Sequence, residues 1–270
     1  ERFNAALDRI RRSLGGASGG RILLGTRQGG ATVELRDVRW VEADGAYVGV
    51  RSSFLLGDIA NLGRKYPPAL EALRTRRDAC AKELLEGTGG VGEARDFASL
   101  NDSLGEKDDT LEMFDKLGKK EGMKAARAAL LEDVFDALLK ARRYEDLAGA
   151  AATSVDRLFE SRKQALAKAE GPDSESMKSY AEFTLDRLVE RGSGFYEVYL
   201  GRGQIEEAES LARRILEASP AGTTWAVLIE HAIRAGSNDA ARGLAVRGLE
   251  VAPEDERDAI REAAGKIPEE

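Results

Sequence analysis

The feature that most constrains this chain is an internal repeat. Residues 203–220 and 236–253 overlie at an offset of 33 residues, and eight of the 18 aligned positions are identical. The identities are Gly203/Gly236, Ala208/Ala241, Leu211/Leu244, Ala212/Ala245, Arg214/Arg247, Leu216/Leu249, Glu217/Glu250 and Pro220/Pro253. Each suits a structural task in a pair of antiparallel helices. The glycine permits the turn between them, the alanine lets them approach closely, and the leucines face a shared core. The proline stops the second helix. One such unit cannot bury its apolar face alone, so its neighbours must stack against it.

The spacing resembles the tetratricopeptide repeat, whose period is about 34 residues. In the last unit Trp225, Leu228, Ala241 and Pro253 sit at matching positions, while Ile229, Ala232 and Ala245 replace the family's Gly, Tyr and Phe. In the preceding unit Tyr199, Ala208 and Pro220 match. A third unit spans Phe97 to Leu117, with Gly105 in the turn and Phe114 at the second-helix aromatic position. The run from Ala141 to Leu147 is similar to the family's inter-helix turn, and the helix that follows, near 145–168, is longer than the family norm. The resemblance implies a right-handed α-solenoid over residues 91–270, with the first helix of each pair lining a concave groove. Gly243 and Gly248 fall inside a predicted helix, where each costs about 1 kcal/mol against alanine, so a compensating close contact is expected at each.

Upstream the pattern differs. Phe3, Leu7, Ile10 and Leu14 carry helical spacing before the glycine-rich run 15–20. Three β-rich runs follow, 21–25, 31–41 and 46–50, which predict a three-stranded meander needing cover on one face. From Ser52 the period becomes helical and stays so. Phe54, Leu55, Ile59 and Leu62 mark a short helix, and Tyr66-Pro67-Pro68 opens a longer one through about Glu86. The expected fold is therefore mainly α with a small meander. Its domains are 1–50 (helix plus meander), 51–90 (helical connector) and 91–270 (solenoid).

Charge is uneven. Residues 1–87 hold 15 Lys+Arg against 11 Asp+Glu, and residues 88–270 hold 26 against 37. An acidic array repels phosphate backbones, which argues against nucleic acid, and it steers basic protein segments toward itself. No run reaches the length of a membrane span, so membrane insertion is not expected. The chain begins with Glu1, which reads as a trimmed start and leaves the compartment open. The single cysteine, Cys80, lies on a helical apolar stripe and reads as a core side chain.

No motif calls for a cofactor or a metal. Gly87-Thr-Gly-Gly-Val-Gly92 satisfies the bare G-x-G-x-x-G string, but a charged helix precedes it where a dinucleotide loop needs a buried strand, so it reads as a helix-ending linker. Residues 101–112 are rich in oxygen ligands, yet their glycine is fifth where a calcium loop needs it sixth, so they read as an inter-helix turn. His231, the only histidine, reads as a packing or surface residue, and no carboxylate pair stands out by spacing. Carrying the family's groove position onto this chain gives Glu197 and Glu230, with Asp102 in the weaker unit and Tyr199 in the densest aromatic group. The expectation is a non-enzymatic scaffold holding a peptide or protein in an acidic groove. Two alternatives stand beside it: a recruitment module of a larger envelope-associated or multidomain enzyme, and an α-helical enzyme that uses carboxylates.

Overall fold

The computed structural model describes residues 21–26, 29–34, 56–170 and 174–269. Strands β1 (Arg21–Thr26) and β2 (Gly29–Glu34) pair antiparallel, with Ile22 opposite Val33 and Leu24 opposite Ala31. This corrects the three-stranded meander. The ladder is a two-stranded hairpin in which each strand has one partner, and no third strand joins it among the described residues. The predicted helix over 2–14 and the predicted strand 46–50 lie outside the described residues.

Everything else described is helical. The helices are α1 (Leu56–Gly63), α2 (Pro67–Glu86), α3 (Val91–Leu104), α4 (Lys107–Gly118), α5 (Lys124–Ala129), α6 (Leu131–Lys140), α7 (Tyr144–Ala169), α8 (Ser174–Gly201), α9 (Ile205–Ala218), α10 (Gly222–Arg234), α11 (Asn238–Val251) and α12 (Arg257–Ala264). The chain divides into two compact units, 1–127 and 128–270. In the first, α1, α2 and α3 close around Leu56, Leu73 and Leu100. The glycine run 87–92 ends α2 and opens α3: the Gly87 N–H donates to the carbonyls of Glu83 and Leu84, and the Gly90 N–H donates to the Glu93 carboxylate at 2.7 Å. Cys80 is fully buried between these helices, and burial pushes its thiol pKa up to about 11, which makes it inert packing at neutral pH.

One turn recurs through both units. Gly105, Arg142, Gly203 and Gly236 all take left-handed backbone, with φ of 75°, 55°, 72° and 78°. Each donates its N–H three residues back, and the next N–H reaches five residues back, as from Gln204 to the Tyr199 carbonyl and from Ser237 to the Ala232 carbonyl, both at 2.9 Å. This double bond satisfies the last carbonyls of one helix while the chain reverses. The following helix starts two residues later in every case, at Lys107, Tyr144, Ile205 and Asn238, and acidic residues in its first turn suit the positive helix end. Five residues after the turn the side chain is always buried: Thr110, Leu147, Ala208 and Ala241. These are helices packed in neighbouring pairs, compatible with a helical repeat.

In the second unit the 33-residue offset is reproduced element for element. Helices α9 and α11 are each 14 residues long and begin and end 33 residues apart. Leu211 and Leu244 are both buried, as are Ala212 and Ala245. Helices α7 and α8 form the longest pair, 26 and 28 residues. Gly248 does lie in a close contact, its Cα hydrogens facing the Trp225 ring and Ile260, whereas Gly243 faces open space and the contact expected there is not made. Two outcomes in chemical denaturation follow. Leu211→Ala and Leu244→Ala should each cost about 2 to 5 kcal/mol while Glu209→Ala costs little. Gly243→Ala should stabilise the protein by about 1 kcal/mol, because it removes a helix-interior glycine without meeting any neighbour.

Candidate functional site

The most concentrated polar chemistry in the second unit surrounds Glu197, one turn before the C-terminus of α8. Its side chain is 1% exposed. Three donors converge on it. Tyr144, the first residue of α7, donates its hydroxyl to Oε1 at 3.1 Å. His231 of α10 meets Oε2 through Nδ1 at 2.8 Å, and the Arg234 Nε, one turn further along α10, donates to the same oxygen at 3.0 Å. The local sequence makes room for this. The Tyr144 ring lies against the backbone of Gly201, where any Cβ would overlap it, so only glycine lets the phenol reach the carboxylate.

The Glu197 carboxylate decides which ring nitrogen carries the proton. An ionised carboxylate only accepts, so Nδ1 donates to it, and the Arg234 Nη2 stands within 2.8 Å of both ring nitrogens. Burial lowers the His231 pKa below its ordinary 6.5, and the neighbouring Arg234 cation lowers it further, against the opposing pull of Glu197. For Glu197, burial alone would raise the pKa. The bonds from His231 and Arg234 outweigh that and hold it below the ordinary 4.5. Tyr144 is pushed up to about 12, by burial first and then by the Glu197 charge, so it stays a donor. The cluster is thus an ionised carboxylate, a neutral histidine, a protonated phenol and an arginine whose side chain is 52% exposed. Both ring nitrogens are engaged and both carboxylate oxygens are occupied, so the geometry is that of a lock tying α7, α8 and α10 together.

The other expected site residues do not join this cluster. Glu230 stands 33 residues beyond Glu197, at the equivalent repeat position, and accepts from Lys266 at 2.7 Å with its side chain 40% exposed. The difference between the two acids is what covers them: α10 packs over Glu197 and buries it, whereas Glu230 is met by Lys266, just past α12, and stays partly exposed. Asp102 belongs to the first unit, where it is exposed and paired with Lys107 at 2.7 Å. Tyr199 is half-buried, and burial raises its pKa ahead of the nearby Glu207 charge. The position read as an open groove acid is therefore a buried inter-repeat lock at Glu197 and a surface ion pair at Glu230. His231, read as a packing or surface residue, is buried and hydrogen-bonded to Glu197. A spacing of 34 residues, one more than the repeat offset, is the signal in the sequence for that bond.

In the first unit the oxygen-rich segment 101–112 is engaged by basic side chains. Arg77 contacts Glu106, Asn101 at 3.3 Å and Asp109 at 3.1 Å, and the Asn101 amide donates to the Thr110 hydroxyl at 3.0 Å. Among the described residues no group of His, Cys, Asp and Glu could hold a metal ion, and no helix is long and apolar enough to cross a membrane. No known protein family, no curated protein and no solved structure matches this chain.

The lock predicts a pH dependence of definite sign. Both His231 and Glu197 have folded pKa values below their unfolded ones, so the unfolded chain binds more protons as pH falls. Stability from His231 should be complete above about 6.5 and lost below it as pH falls through its lowered value; that from Glu197 should follow below about 4.5. Urea unfolding at a series of pH values should show the first loss in the wild type and not in His231→Gln. At neutral pH Glu197→Ala should cost about 3 to 5 kcal/mol, because it leaves Arg234, His231 and Tyr144 without their acceptor. A loss no larger than that of a surface substitution would refute the lock.

Proposed function

We propose that this chain is a non-enzymatic protein–protein interaction scaffold built from tetratricopeptide-like helix pairs, with a binding surface on the second helices of its two best-matched repeats. The observation that carries this reading is a shallow cleft of about 230 Å³ between α9 and α11. Ala212, Leu216 and Leu244 line its floor, and Glu209, Arg213, Glu217 and Arg247 stand around it. The charged groups are available to a ligand. Glu209, Arg213 and Glu217 have no ion-pair partner among the described residues, and Arg247 donates only to the backbone carbonyl of Gly243. The charged groups around Glu197, by contrast, are already engaged with one another.

An apolar floor flanked by unspent charges of both signs suits a peptide segment that inserts one aliphatic side chain and pairs polar groups at the rim. Residues 128–270 carry 19 Lys+Arg against 28 Asp+Glu, which steers basic segments toward this unit over long range. The test is selection of a random peptide library displayed on phage against the purified chain. The expected result is enrichment of a motif with one aliphatic and at least one basic residue, lost when Leu216→Asp is the bait. No enrichment over an unrelated helical bait, or enrichment that survives Leu216→Asp, would refute the cleft as the site.

A further inference from the structure

The cleft between α9 and α11 is the middle of a longer apolar line. Ile205 stands four residues before Glu209 and seven before Ala212, and Val251 stands four after Arg247 and seven after Leu244. Helical spacing therefore sets both on the faces of α9 and α11 that line the cleft, one toward each end of it. Both are open to water, Ile205 at 48% exposed and Val251 at 67%. Short links, 219–221 and 235–237, join α9 and α11 to α10, so each runs antiparallel to α10 and the two run parallel to each other. Ile205 opens α9 and Val251 closes α11. Apolar surface thus extends along a groove about 20 Å long, the rise of one such helix.

The walls carry an ordered set of charges. Glu209, Arg213 and Glu217 follow one another at one-turn intervals along α9, and Arg247 stands on the α11 wall. None of the four has an ion-pair partner among the described residues, and Arg247 donates only to the Gly243 carbonyl. The walls also decide the occupant's backbone. Both are α-helices whose N–H and C=O groups are spent within the helix, so they offer no backbone partner to an incoming chain. An extended peptide laid on this apolar floor would bury its own backbone polar groups unpaired. A helix satisfies them internally and brings only side chains to the groove.

We infer that the groove docks an amphipathic helix of a partner protein, about as long as α9. An aliphatic stripe lies on Ala212, Leu216 and Leu244, and its ends cover Ile205 and Val251. The flank toward α9 carries a basic, an acidic and a basic residue at one-turn spacing, the cations meeting Glu209 and Glu217 and the carboxylate meeting Arg213. A carboxylate on the other flank meets Arg247. Docking of this helix rests on the reading of the cleft as the binding site and specifies the conformation and charge order of what it binds.

The probe is the fluorescein-labelled peptide KLAQELEAKLAQLA, which presents that stripe and that charge order when helical, titrated with the full chain in a fluorescence anisotropy experiment. The expected result is saturable binding that weakens with added salt. Binding should be at least about tenfold weaker for ELAQKLKAELAQLA, in which every charge is reversed, and for KLAQELEPKLAQLA, whose proline breaks the helix on the side away from the groove. Leu216→Asp should abolish it, and the double variant Ile205→Ser, Val251→Ser should weaken it at least about fivefold. Both serines replace exposed side chains, and far-ultraviolet circular dichroism checks that each variant keeps its helix content. No binding to the wild type overturns the inference, as does equal binding of the proline or charge-reversed peptide. In those cases a library motif lost with Leu216→Asp would leave the cleft standing as the site of an extended segment. Binding that survives Leu216→Asp overturns both. A free chain that sediments as a dimer only while Leu216 is intact would put a second copy in the groove and overturn the inference too.

Discussion

The second unit is organised around a carboxylate that water cannot reach. Burying Glu197 as an ion would be prohibitive without compensation, and three donors from two other helices supply it. The consequence is geometric as much as energetic. A hydrophobic contact between α8 and α10 could slide by a turn with little loss, whereas the Tyr144, His231 and Arg234 donors meet the carboxylate at one register only. Gly201 belongs to the same constraint, because the phenol reaches Glu197 only where the α8 backbone has no side chain. The apolar core sets how tightly these helices pack, and the buried carboxylate sets where they stop.

Much of the fold was legible in the sequence, for physical reasons that can be located. The repeat offset transferred to α9 and α11 residue for residue, since the turn glycines at 203 and 236 and the prolines at 220 and 253 punctuate the backbone directly. The α2 boundaries were equally readable from Pro67 and Gly87. Arg142 shows the limit of that kind of reading: it holds the same left-handed turn as the glycines although its side chain gives no hint of it. The meander failed where β propensity was asked to fix pairing, which depends on partners distant in sequence.

The site was less legible. Glu197 and Glu230, 33 residues apart in the sequence, each meet basic groups 34 to 37 residues further along. What the pattern could not supply was exposure. A periodic sequence assigns equivalent positions the same character, but the Glu197 side chain lies under α10 at 1% exposure whereas that of Glu230 is 40% exposed. Asp102 and Tyr199 illustrate the converse, since residue type alone drew attention to them and the structure gives each an ordinary local environment.

The pairing of Glu230 with Lys266 puts a second acid to the same use. At Glu197 the acid is the socket into which the next helix plugs its basic side chains. At Glu230, α12 packs against α10 and α11 through Ile260 and Ala263, and Lys266 just beyond it fills the socket. Helix α12 with Lys266 is therefore to α10 what α10 is to α8: it brings both the apolar face and the cation that the acid beneath it calls for.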